Sequence, residues 1–400
     1  MTSQAIIFLS PHDPRDPQKW SGTIYSIYRA LQTDPRGLRV IPVHSEKLTF
    51  LARAVSALLR KAGWNLDVRF SALFALIAGF LLTIRLALMA DGPIVAVAAS
   101  NYLPYLKTRR RIVYISDATF QAICELYPSF NSFPAWLKRQ GHANEARTLN
   151  KADHVIYPSQ WAARSAVTHY RIAKEKISEL PFGPNIPAAL IEKYVAPKSL
   201  AGGEIRVVFV SADWVRKNGD LAVETCRILR DSGFNARLIT IGSTPDHIKQ
   251  IDFVEDRGFL RKSDPQELED LCAAYRDAHF LLLPSTADAF GIVFSEAQAF
   301  GAIPATYDVG GIGSAVVNGE SGLLLPLGAP AASFAEEMKA YIENPERFDD
   351  LSQSCRRWYL ERANWANWAK LILRLTQGAG ARALDTTSAA AAEARVQPKM

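Results

Sequence analysis

The sequence predicts an α/β protein made of two doubly wound domains. In both halves of the chain, short apolar runs alternate with amphipathic helical segments, which is the pattern of parallel sheets. The length of 400 residues allows two domains with complete cores. Residues 185–204 are rich in Pro and Gly, so we predict that they link a domain at residues 1–184 to a domain at residues 205–355.

The formal net charge of +6 is unevenly distributed, because residues 1–150 contain 18 basic and 9 acidic side chains. A basic first half suits an anionic partner: membrane lipid, a phosphate-bearing substrate or nucleic acid. Scattered solvated charge would give the same count. We expect no nucleic acid, because this half lacks clustered aromatic residues and any known nucleic-acid motif.

The cysteines and histidines give no sign of a metal site or a disulfide framework. The four cysteines lie far apart, and the seven histidines have no metal-ligand spacing. We therefore predict no metal site from these residues and a reduced, cytoplasmic compartment. We also expect no cofactor. The apolar run at Ala5–Leu9 is too short for a signal peptide. Residues 378–400 lack periodicity and are predicted to form a disordered tail.

The first domain begins with a predicted strand at Ala5–Leu9, a long loop, and a helix at Thr23–Leu31. Gly22 stands at the start of this helix, where free N–H groups can bind an anion. A simple helix start with Ser21 near the cap explains the same residues equally well.

A second strand at Arg39–Val43 is followed by two helical segments. Leu48–Lys61 predicts a basic amphipathic helix, and Ser71–Ala90 is apolar except for Arg85. Three structures are open for the apolar segment: a buried or half-buried helix, a helix resting on a membrane surface beside the basic helix, and a membrane span. We favour the first, because the strand predicted at Ile94–Ala98 must rejoin the same sheet.

Two polar residues follow strands of the first sheet. Asn101 comes after the strand at Ile94–Ala98, and Asp117 comes after a strand at Ile112–Ile115. Since the carboxyl ends of parallel strands share one edge, both residues are predicted to face the ligand side. Asp117 either orients a substrate hydroxyl or accepts its proton, or it only caps the following turn. The domain closes with a strand at His154–Tyr157, a helix at Gln160–Thr168 and a strand at Ile177–Pro181.

The second domain opens with a strand at Ile205–Val210 and a helix at Leu221–Arg230. Arg216 and Lys217 lie in the loop between them, where two cations can neutralise a leaving diphosphate. A solvated pair of basic side chains is the alternative. Further strands are predicted at 236–241 and 251–254, and a helix at 267–275.

Residues 278–326 are the most informative stretch of the chain. They predict a buried strand at His279–Leu283, a polar turn, a helix at Ile292–Phe300, and a strand at Ile303–Tyr307 before a glycine turn. Asp288 lies in the polar turn and Glu296 early in the helix. Helix-start amides suit a diphosphate, and carboxylates suit sugar diols, so a nucleotide-sugar satisfies both. An ordinary βαβ unit with solvated acids is the alternative reading.

This stretch resembles the donor site of the family 4 (group 1) glycosyltransferases, whose two Rossmann-like domains face a central cleft, an arrangement called GT-B. The resemblance rests on the sequence SEAQAFG at Ser295–Gly301, on Gly310 and Gly311, and on two acids, Asp288 and Glu296, with seven residues between them. It is close over about the last half of the chain and weak over most of the rest.

The resemblance implies a donor site for a nucleoside-diphosphate sugar, without an enzyme-bound metal and with retention of anomeric configuration. Lys217, helped by Arg216, would stabilise the diphosphate, Asp288 would hold sugar hydroxyls, and Glu296 would hold the ribose diol. Other expected donor contacts are Gly22 and the N–H groups of Phe290, Gly291 and Ile292. Expected acceptor-side residues are Asn101 and Asp117, and the catalytic set is Asp117, Lys217 and Asp288.

The resemblance also implies a final helix at residues 356–376 that packs back on the first domain. The acceptor would be a saccharide or a lipid-linked molecule in polysaccharide or glycolipid synthesis, with peripheral membrane contact through the basic first domain. This chain departs from the family pattern at Asp288, where relatives have Glu, and at Ser116, where many relatives have His. These departures leave open a catalytically inactive sugar- or membrane-binding protein, and a nucleotide-sugar epimerase of the same fold is a second enzyme hypothesis.

Overall fold

The computed structural model of the protein describes residues 5–33 and 38–377. The tail predicted to be disordered, residues 378–400, lies outside the described residues.

The first domain is a parallel six-stranded sheet with helices on both faces. Its strands are β1 (Ile6–Ser10), β2 (Val40–His44), β3 (Ile94–Val97), β4 (Ile112–Ile115), β5 (His154–Tyr157) and β6 (Ile177–Glu179). Its helices are α1 (Thr23–Gln32), α2 (Glu46–Lys61), α3 (Ala72–Ala87), α4 (Phe120–Leu126), α5 (Pro128–Asn131), α6 (Ala135–Lys151) and α7 (Gln160–Tyr170). A short helix, α8 (Ala188–Tyr194), follows it.

The second domain repeats this architecture. Its strands are β7 (Glu204–Ser211), β8 (Asn235–Gly242), β9 (Val254–Asp256), β10 (Phe280–Leu282), β11 (Ile303–Asp308) and β12 (Leu323–Pro326). Its helices are α9 (Gly219–Asp231), α10 (Asp246–Lys249), α11 (Pro265–Asp277), α12 (Ile292–Ala299), α13 (Ile312–Ala315), α14 (Ala331–Ile342) and α15 (Pro345–Glu361), and the last described helix is α16 (Trp365–Thr376).

The strand orders are β2-β1-β3-β4-β5-β6 and β12-β11-β10-β7-β8-β9, and every pairing between these strands is parallel. The chain reverses its direction of travel across each sheet at one point, between β1 and β3 in the first and between β7 and β10 in the second. Loops that leave such a point diverge and open a crevice. The predicted fold class, two doubly wound α/β domains, is confirmed.

Hydrophobic spacing explains how the helices attach to the sheets. In α1, Ile24, Ile27, Tyr28 and Leu31 recur at helical spacing and are buried against alternate residues of β1 and β3. The other side chains of β1 point to the opposite face of the sheet, where α2 and α3 pack. Each sheet therefore needs apolar residues along the whole of a strand, which is what the sequence provides.

The C-terminal segment is two helices, whereas the sequence predicted a single helix at residues 356–376. The chain breaks at 362–364, because the side chain of Asn364 accepts a hydrogen bond from the Asn367 amide (2.9 Å) and starts a new helix. Helix α16 then packs on α1, β3 and β4 of the first domain. The indole of buried Trp368 donates to the Pro181 carbonyl (2.8 Å), which anchors α16 at the junction between the domains.

Two further segments differ in detail from what the sequence predicts. The predicted linker at 185–204 contains α8, whose Ile191 is fully buried and whose Lys193 and Tyr194 bind Glu269 on α11. The strand predicted at 251–254 is instead β9 at Val254–Asp256. The residues before it form a turn that buries Phe253, and periodicity cannot distinguish a short apolar turn from a strand.

The apolar segment at 71–90 forms α3, which is 16 residues long and only half buried. Phe74, Ala78, Leu82 and Leu86 pack on the first sheet, while the opposite face of the helix is exposed. Over the residues described, no helix combines the length and the apolar character needed to cross a membrane.

Replacing Trp368 by Phe tests the anchoring of α16. The substitution removes the indole donor and leaves the Pro181 carbonyl without this partner, so we expect a loss of about 1–2 kcal/mol in the free energy of unfolding. Urea unfolding measures it. The control, Trp136→Phe, changes an exposed indole and should have little effect. Equal losses in the two variants would contradict the anchoring role.

Candidate functional site

A cavity of about 780 Å³ lies between the two domains. It is lined by the loops that follow β1 and β4 of the first sheet and β7, β8, β9 and β10 of the second. Three of these loops, those after β1, β7 and β10, leave the carboxyl ends of strands that flank the two reversal points, so the topology itself creates the hollow. The volume is in the range of small-molecule binding sites.

Lys217 and Asp288 meet at the reversal point of the second sheet. Lys217 lies in the turn after β7, is buried, and donates from Nζ to Asp288 Oδ2 in the loop after β10. Both side chains line the cavity. An ammonium group has three donors, so Lys217 keeps further hydrogen-bonding capacity while paired with this carboxylate. The two predicted residues are therefore brought together at the cavity wall.

Arg216 also lines the cavity, but its guanidinium is engaged in holding loops together. Its Nε donates to Asp213 (2.9 Å), and its Nη1 donates to the carbonyl of Ala287 (2.8 Å). The backbone of Thr286 donates to the Arg216 carbonyl (2.9 Å). These bonds tie the loop after β7 to the loop after β10, so Arg216 fixes the position of its neighbour Lys217.

Asp117 faces this pair from the first domain. It lines the cavity, and its Oδ2 accepts a hydrogen bond from the indole Nε1 of Trp20 (3.2 Å). Burial, together with the nearby charge of Asp288, raises the pKa of Asp117 to about 6 from an ordinary value of 3.8. A carboxylate with a pKa near neutrality is suited to exchanging a proton with a substrate.

Trp20, which sequence reasoning missed, belongs to a strained segment. Trp20, Ser21 and Gly22 have φ angles of 52°, 56° and 89°, in the left-handed region that side chains rarely adopt. Such strain clusters at functional sites. Trp20 and Ser21 line the cavity, as does Thr23, whereas Gly22 itself is absent from the lining. The side-chain amide of Asn185 helps to hold this segment, because its Nδ2 donates to the Ser21 carbonyl (2.7 Å).

The start of α12 forms another part of the wall, through Phe290, Gly291 and Ile292. Gly310 and Gly311, which carry part of the family resemblance, pack beneath this loop. The Gly311 amide donates to the Asp288 carbonyl (3.2 Å), and a Cβ on either glycine would lie within 2.2 Å of a carbonyl oxygen of residues 288–289. The glycines therefore permit backbone contact between the loops that position Asp288.

Glu296 is fully buried on α12 and is not among the residues lining the cavity. Its carboxylate accepts hydrogen bonds from Lys262 Nζ, the Tyr275 hydroxyl (3.1 Å) and the backbone amide of Asn185 (3.3 Å). Lys262 does line the cavity, and so it separates Glu296 from the open space. Sequence reasoning missed Lys262, because nothing in the local pattern relates it to Glu296.

The remaining predicted residue, Asn101, follows β3 as expected but is not among the cavity-lining residues. The chain turns at Ala98, whose φ is 51°, and buries Tyr102 and Leu103 beyond it. On the second domain, Gly242, Phe259 and Leu260 line the far end of the cavity in the loops after β8 and β9. Among residues 5–33 and 38–377, no three His, Cys, Asp or Glu side chains form a group able to hold a metal ion.

Residues 191–358 match the family described as glycosyl transferases group 1. The chain is 29% identical over 218 residues to the D-inositol 3-phosphate glycosyltransferase of Nocardia farcinica, an alignment that covers 51% of this chain and 48% of that protein. The chain thus spans about half the length of the curated relatives it matches.

Solved structures share the complete two-domain fold. A glycosyltransferase from Rickettsia africae aligns with a TM-score of 0.65 and 12% identity over 94% of this chain and 98% of that one. HepE of Anabaena, solved in complex with UDP and glucose, aligns with a TM-score of 0.56 and 16% identity over 94% of this chain and all of that one. At these identities the likeness extends to the GT-B fold and no further.

The raised pKa of Asp117 predicts an unusual dependence of stability on pH. The pKa of Asp117 in the folded protein, about 6, exceeds the ordinary value of 3.8. The contribution of protonated Asp117 to the free energy of unfolding is therefore complete below pH 3.8 and is lost as pH rises through 6. Asp117→Asn keeps an acceptor for Trp20, so we expect it to be about 2 kcal/mol more stable than the wild type at neutral pH. This difference should disappear near pH 4. Urea unfolding over a pH series measures it.

Asp13→Asn is the control with the opposite sign, because Arg15 lowers the pKa of Asp13 to about 2. This variant should lose stability at neutral pH. A difference between Asp117→Asn and the wild type that stays constant from acid to neutral pH would contradict the assigned pKa.

Lys262 supports the buried charge of Glu296. Lys262→Met leaves that carboxylate with two weaker partners, so we expect a loss of roughly 1–3 kcal/mol in the free energy of unfolding, less than for a fully buried pair because Lys262 is partly exposed. Adding Glu296→Gln should recover part of the loss. Lys193→Met, which breaks the exposed pair with Glu269, is the control and should change little. The pairing would be refuted by additive losses in the double variant.

Proposed function

We propose that this chain, whose residues 191–358 match the group 1 glycosyltransferases, transfers a sugar from a nucleoside-diphosphate sugar to an acceptor. The observation that carries the proposal is the convergence of Lys217, Asp288 and Asp117 on one cavity between the domains. It joins a buried cation, a paired carboxylate and a carboxylate of raised pKa, which is what transfer from a diphosphate leaving group to a hydroxyl needs. The complex of HepE with UDP and glucose, in a structure of the same fold, supports the choice of ligand.

In the proposed complex the diphosphate lies against Lys217 and the amides at the start of α12. When the bond between sugar and phosphate breaks, negative charge grows on the diphosphate oxygen. The ammonium of Lys217 stabilises this charge, and its burial strengthens the effect because little water screens it. Arg216 keeps Lys217 in place through its contacts with the neighbouring loop.

The sugar would lie between Asp288 and the first domain, with its hydroxyls bonded to the Asp288 carboxylate. The acceptor hydroxyl then approaches from the side of Asp117. When the carboxyl group of Asp117 is deprotonated, it takes the proton of this hydroxyl. Trp20 holds Asp117 in position through its indole N–H. We propose that the anomeric configuration is retained, as the resemblance to the family implies, with the acceptor oxygen bonding to the anomeric carbon on the face from which the diphosphate oxygen leaves.

Glu296 is proposed to hold the ribose diol, and this requires Lys262 to move. The side chain of Lys262 is long and partly exposed, so a small rotation of its stem would leave Glu296 Oε1 with the Asn185 backbone amide alone and able to accept a further hydrogen bond. The remaining contacts of Glu296 with Tyr275 and Asn185 need not change.

We further propose that the acceptor is a saccharide or a lipid-linked molecule in polysaccharide or glycolipid synthesis. Sugar transfer would take place in the cytoplasm, with the basic N-terminal domain in peripheral contact with a membrane. The charge excess of residues 1–150 supports this placement.

Calorimetric titration tests the proposal. The ligands are UDP-, GDP- and ADP-sugars and the matching nucleoside diphosphates without a sugar. We expect one nucleotide to bind the wild type. Lys217→Met should weaken both the sugar nucleotide and the free diphosphate at least tenfold, since a hydrogen bond to a charged group is lost. Asp288→Asn should weaken the sugar nucleotide but not the free nucleoside diphosphate, because Asp288 is assigned to the sugar and its removal leaves the Lys217 ammonium available to the diphosphate.

Lys370→Met, which changes an exposed lysine on α16, is the matched control and should bind like the wild type. Failure of all three nucleotide series to bind the folded wild type would contradict the proposal, as would unchanged affinities in Lys217→Met. Release of free diphosphate in the presence of an acceptor extract, lost in Asp117→Asn, would then separate a transferase from a protein that only binds the donor.

A further inference from the structure

Two helices of the first domain expose an unusual amount of apolar surface. Of 17 exposed large apolar side chains found over the described residues, 12 lie between residues 50 and 88. Five belong to α2 and the turn after it, and seven to α3 and its C-terminal end. We call this surface the α2–α3 face; its residues are Phe50, Leu51, Val55, Leu58, Trp64, Leu73, Leu76, Ile77, Phe80, Leu81, Ile84 and Leu88.

The exposed side of α3 is a continuous apolar stripe. Leu73, Ile77, Phe80, Leu81 and Ile84 recur at helical spacing on the side turned away from the sheet. A surface helix normally places polar residues there, and soluble monomers rarely expose apolar patches of this extent. The side toward the protein is partly filled by small residues, such as Ala75, Ala78 and Gly79. The bulky apolar residues of α3 are therefore exposed and available to an external partner.

The charge around this face is strongly positive. Residues 46–110 contain nine basic and three acidic side chains. Of the acids, Asp67 is paired with Arg69 and Asp91 lies near Arg110 (3.5 Å). Exposed basic residues on α2, α3 and the segment before β4 are Lys47, Arg53, Arg60, Lys61, Arg85, Lys107 and Arg109. An apolar face with a basic surround suits a surface that is apolar inside and anionic outside.

We propose that the α2–α3 face docks on the surface of a bilayer that contains anionic lipid. Its apolar side chains would enter the boundary between headgroups and acyl chains, and its basic residues would contact the headgroups. With 16 residues, α3 is about 24 Å long and thus too short to cross the hydrocarbon core. A second copy of the chain fits less well, because two such faces would bring like charges together.

The α2–α3 face is placed so that docking would bring the cleft to the membrane surface. Helix α2 starts at the carboxyl edge of the first sheet, directly after β2. The hydroxyl of Thr49, in its first turn, lies 3.0 Å from the carbonyl of Pro11, in the loop that continues to Trp20. A lipid-linked acceptor leaving the bilayer here would reach the side of the cleft that carries Asp117. This last step rests on the proposed function, whereas the docking itself does not.

Flotation of the full chain with lipid vesicles tests the docking. We expect the wild type to float with vesicles of phosphatidylcholine and phosphatidylglycerol, and to float at least tenfold less with phosphatidylcholine alone or in high salt. The double variant Leu76→Glu/Phe80→Glu should lose at least tenfold in binding to the anionic vesicles. The matched control is Leu327→Glu/Leu360→Glu, which changes two exposed leucines of the second domain and should bind like the wild type.

A second measurement does not require a charge to be placed on the helix. Brominated acyl chains should quench the fluorescence of Trp64, at the end of α2, and the quenching should be lost in Trp64→Phe. Wild-type protein that stays unbound with anionic vesicles, or equal losses in both double variants, would overturn the proposal. So would a concentration-dependent dimer that Leu76→Glu/Phe80→Glu converts to a monomer, because a second copy would then cover the face.

Binding of the donor nucleotide separates this proposal from the proposed function. The α2–α3 face does not line the cavity, so both double variants should bind the nucleotide as the wild type does. Loss of vesicle binding with intact nucleotide binding supports the docking. Intact nucleotide binding in a wild type that does not bind vesicles overturns the docking and the proposed membrane contact, and leaves the proposed sugar transfer standing.

Discussion

The ion pair between Lys217 and Asp288 depends on the reversal point of the second sheet. Only there do the loops after β7 and β10 leave neighbouring strands and turn to opposite sides. Burying a charge is costly unless a partner is present, so each residue needs the other. The effect reaches the first domain as well, because the charge of Asp288 helps to raise the pKa of Asp117 across the cavity.

That electrostatic contact requires the two domains to be held close together. Phe182 stands at the junction, and its ring packs against Trp20 and Phe290 at the cavity and against Trp365 and Trp368 of α16. One apolar cluster therefore runs from the first sheet through the junction into the second domain. Apolar packing fixes the spacing of the cavity walls, and the charged groups act within that spacing.

Residue patterns predicted the fold and the local part of the site. Asp288 and Lys217 were predictable because each lies in a loop directly after a well-marked strand. The contact of Trp20 with Asp117 and that of Lys262 with Glu296 join residues far apart in the chain, and they depend on how loops and side chains pack. The break before α16 also escaped prediction, since one capping residue, Asn364, decided it within a continuous helical pattern. The packing of Gly310 and Gly311 against loop carbonyls is likewise a contact between separate loops that no local pattern reveals.

The central claim is that a sugar nucleotide binds where Lys217 and Asp288 meet. A crystal structure of the chain with the nucleoside diphosphate that binds most tightly tests it most directly. We expect phosphate oxygens within hydrogen-bond distance of Lys217 Nζ and of the amides at the start of α12, with the nucleoside extending toward the loops after β8 and β9. A diphosphate bound elsewhere, with the Lys217–Asp288 pair closed and the cavity empty, would contradict this binding site.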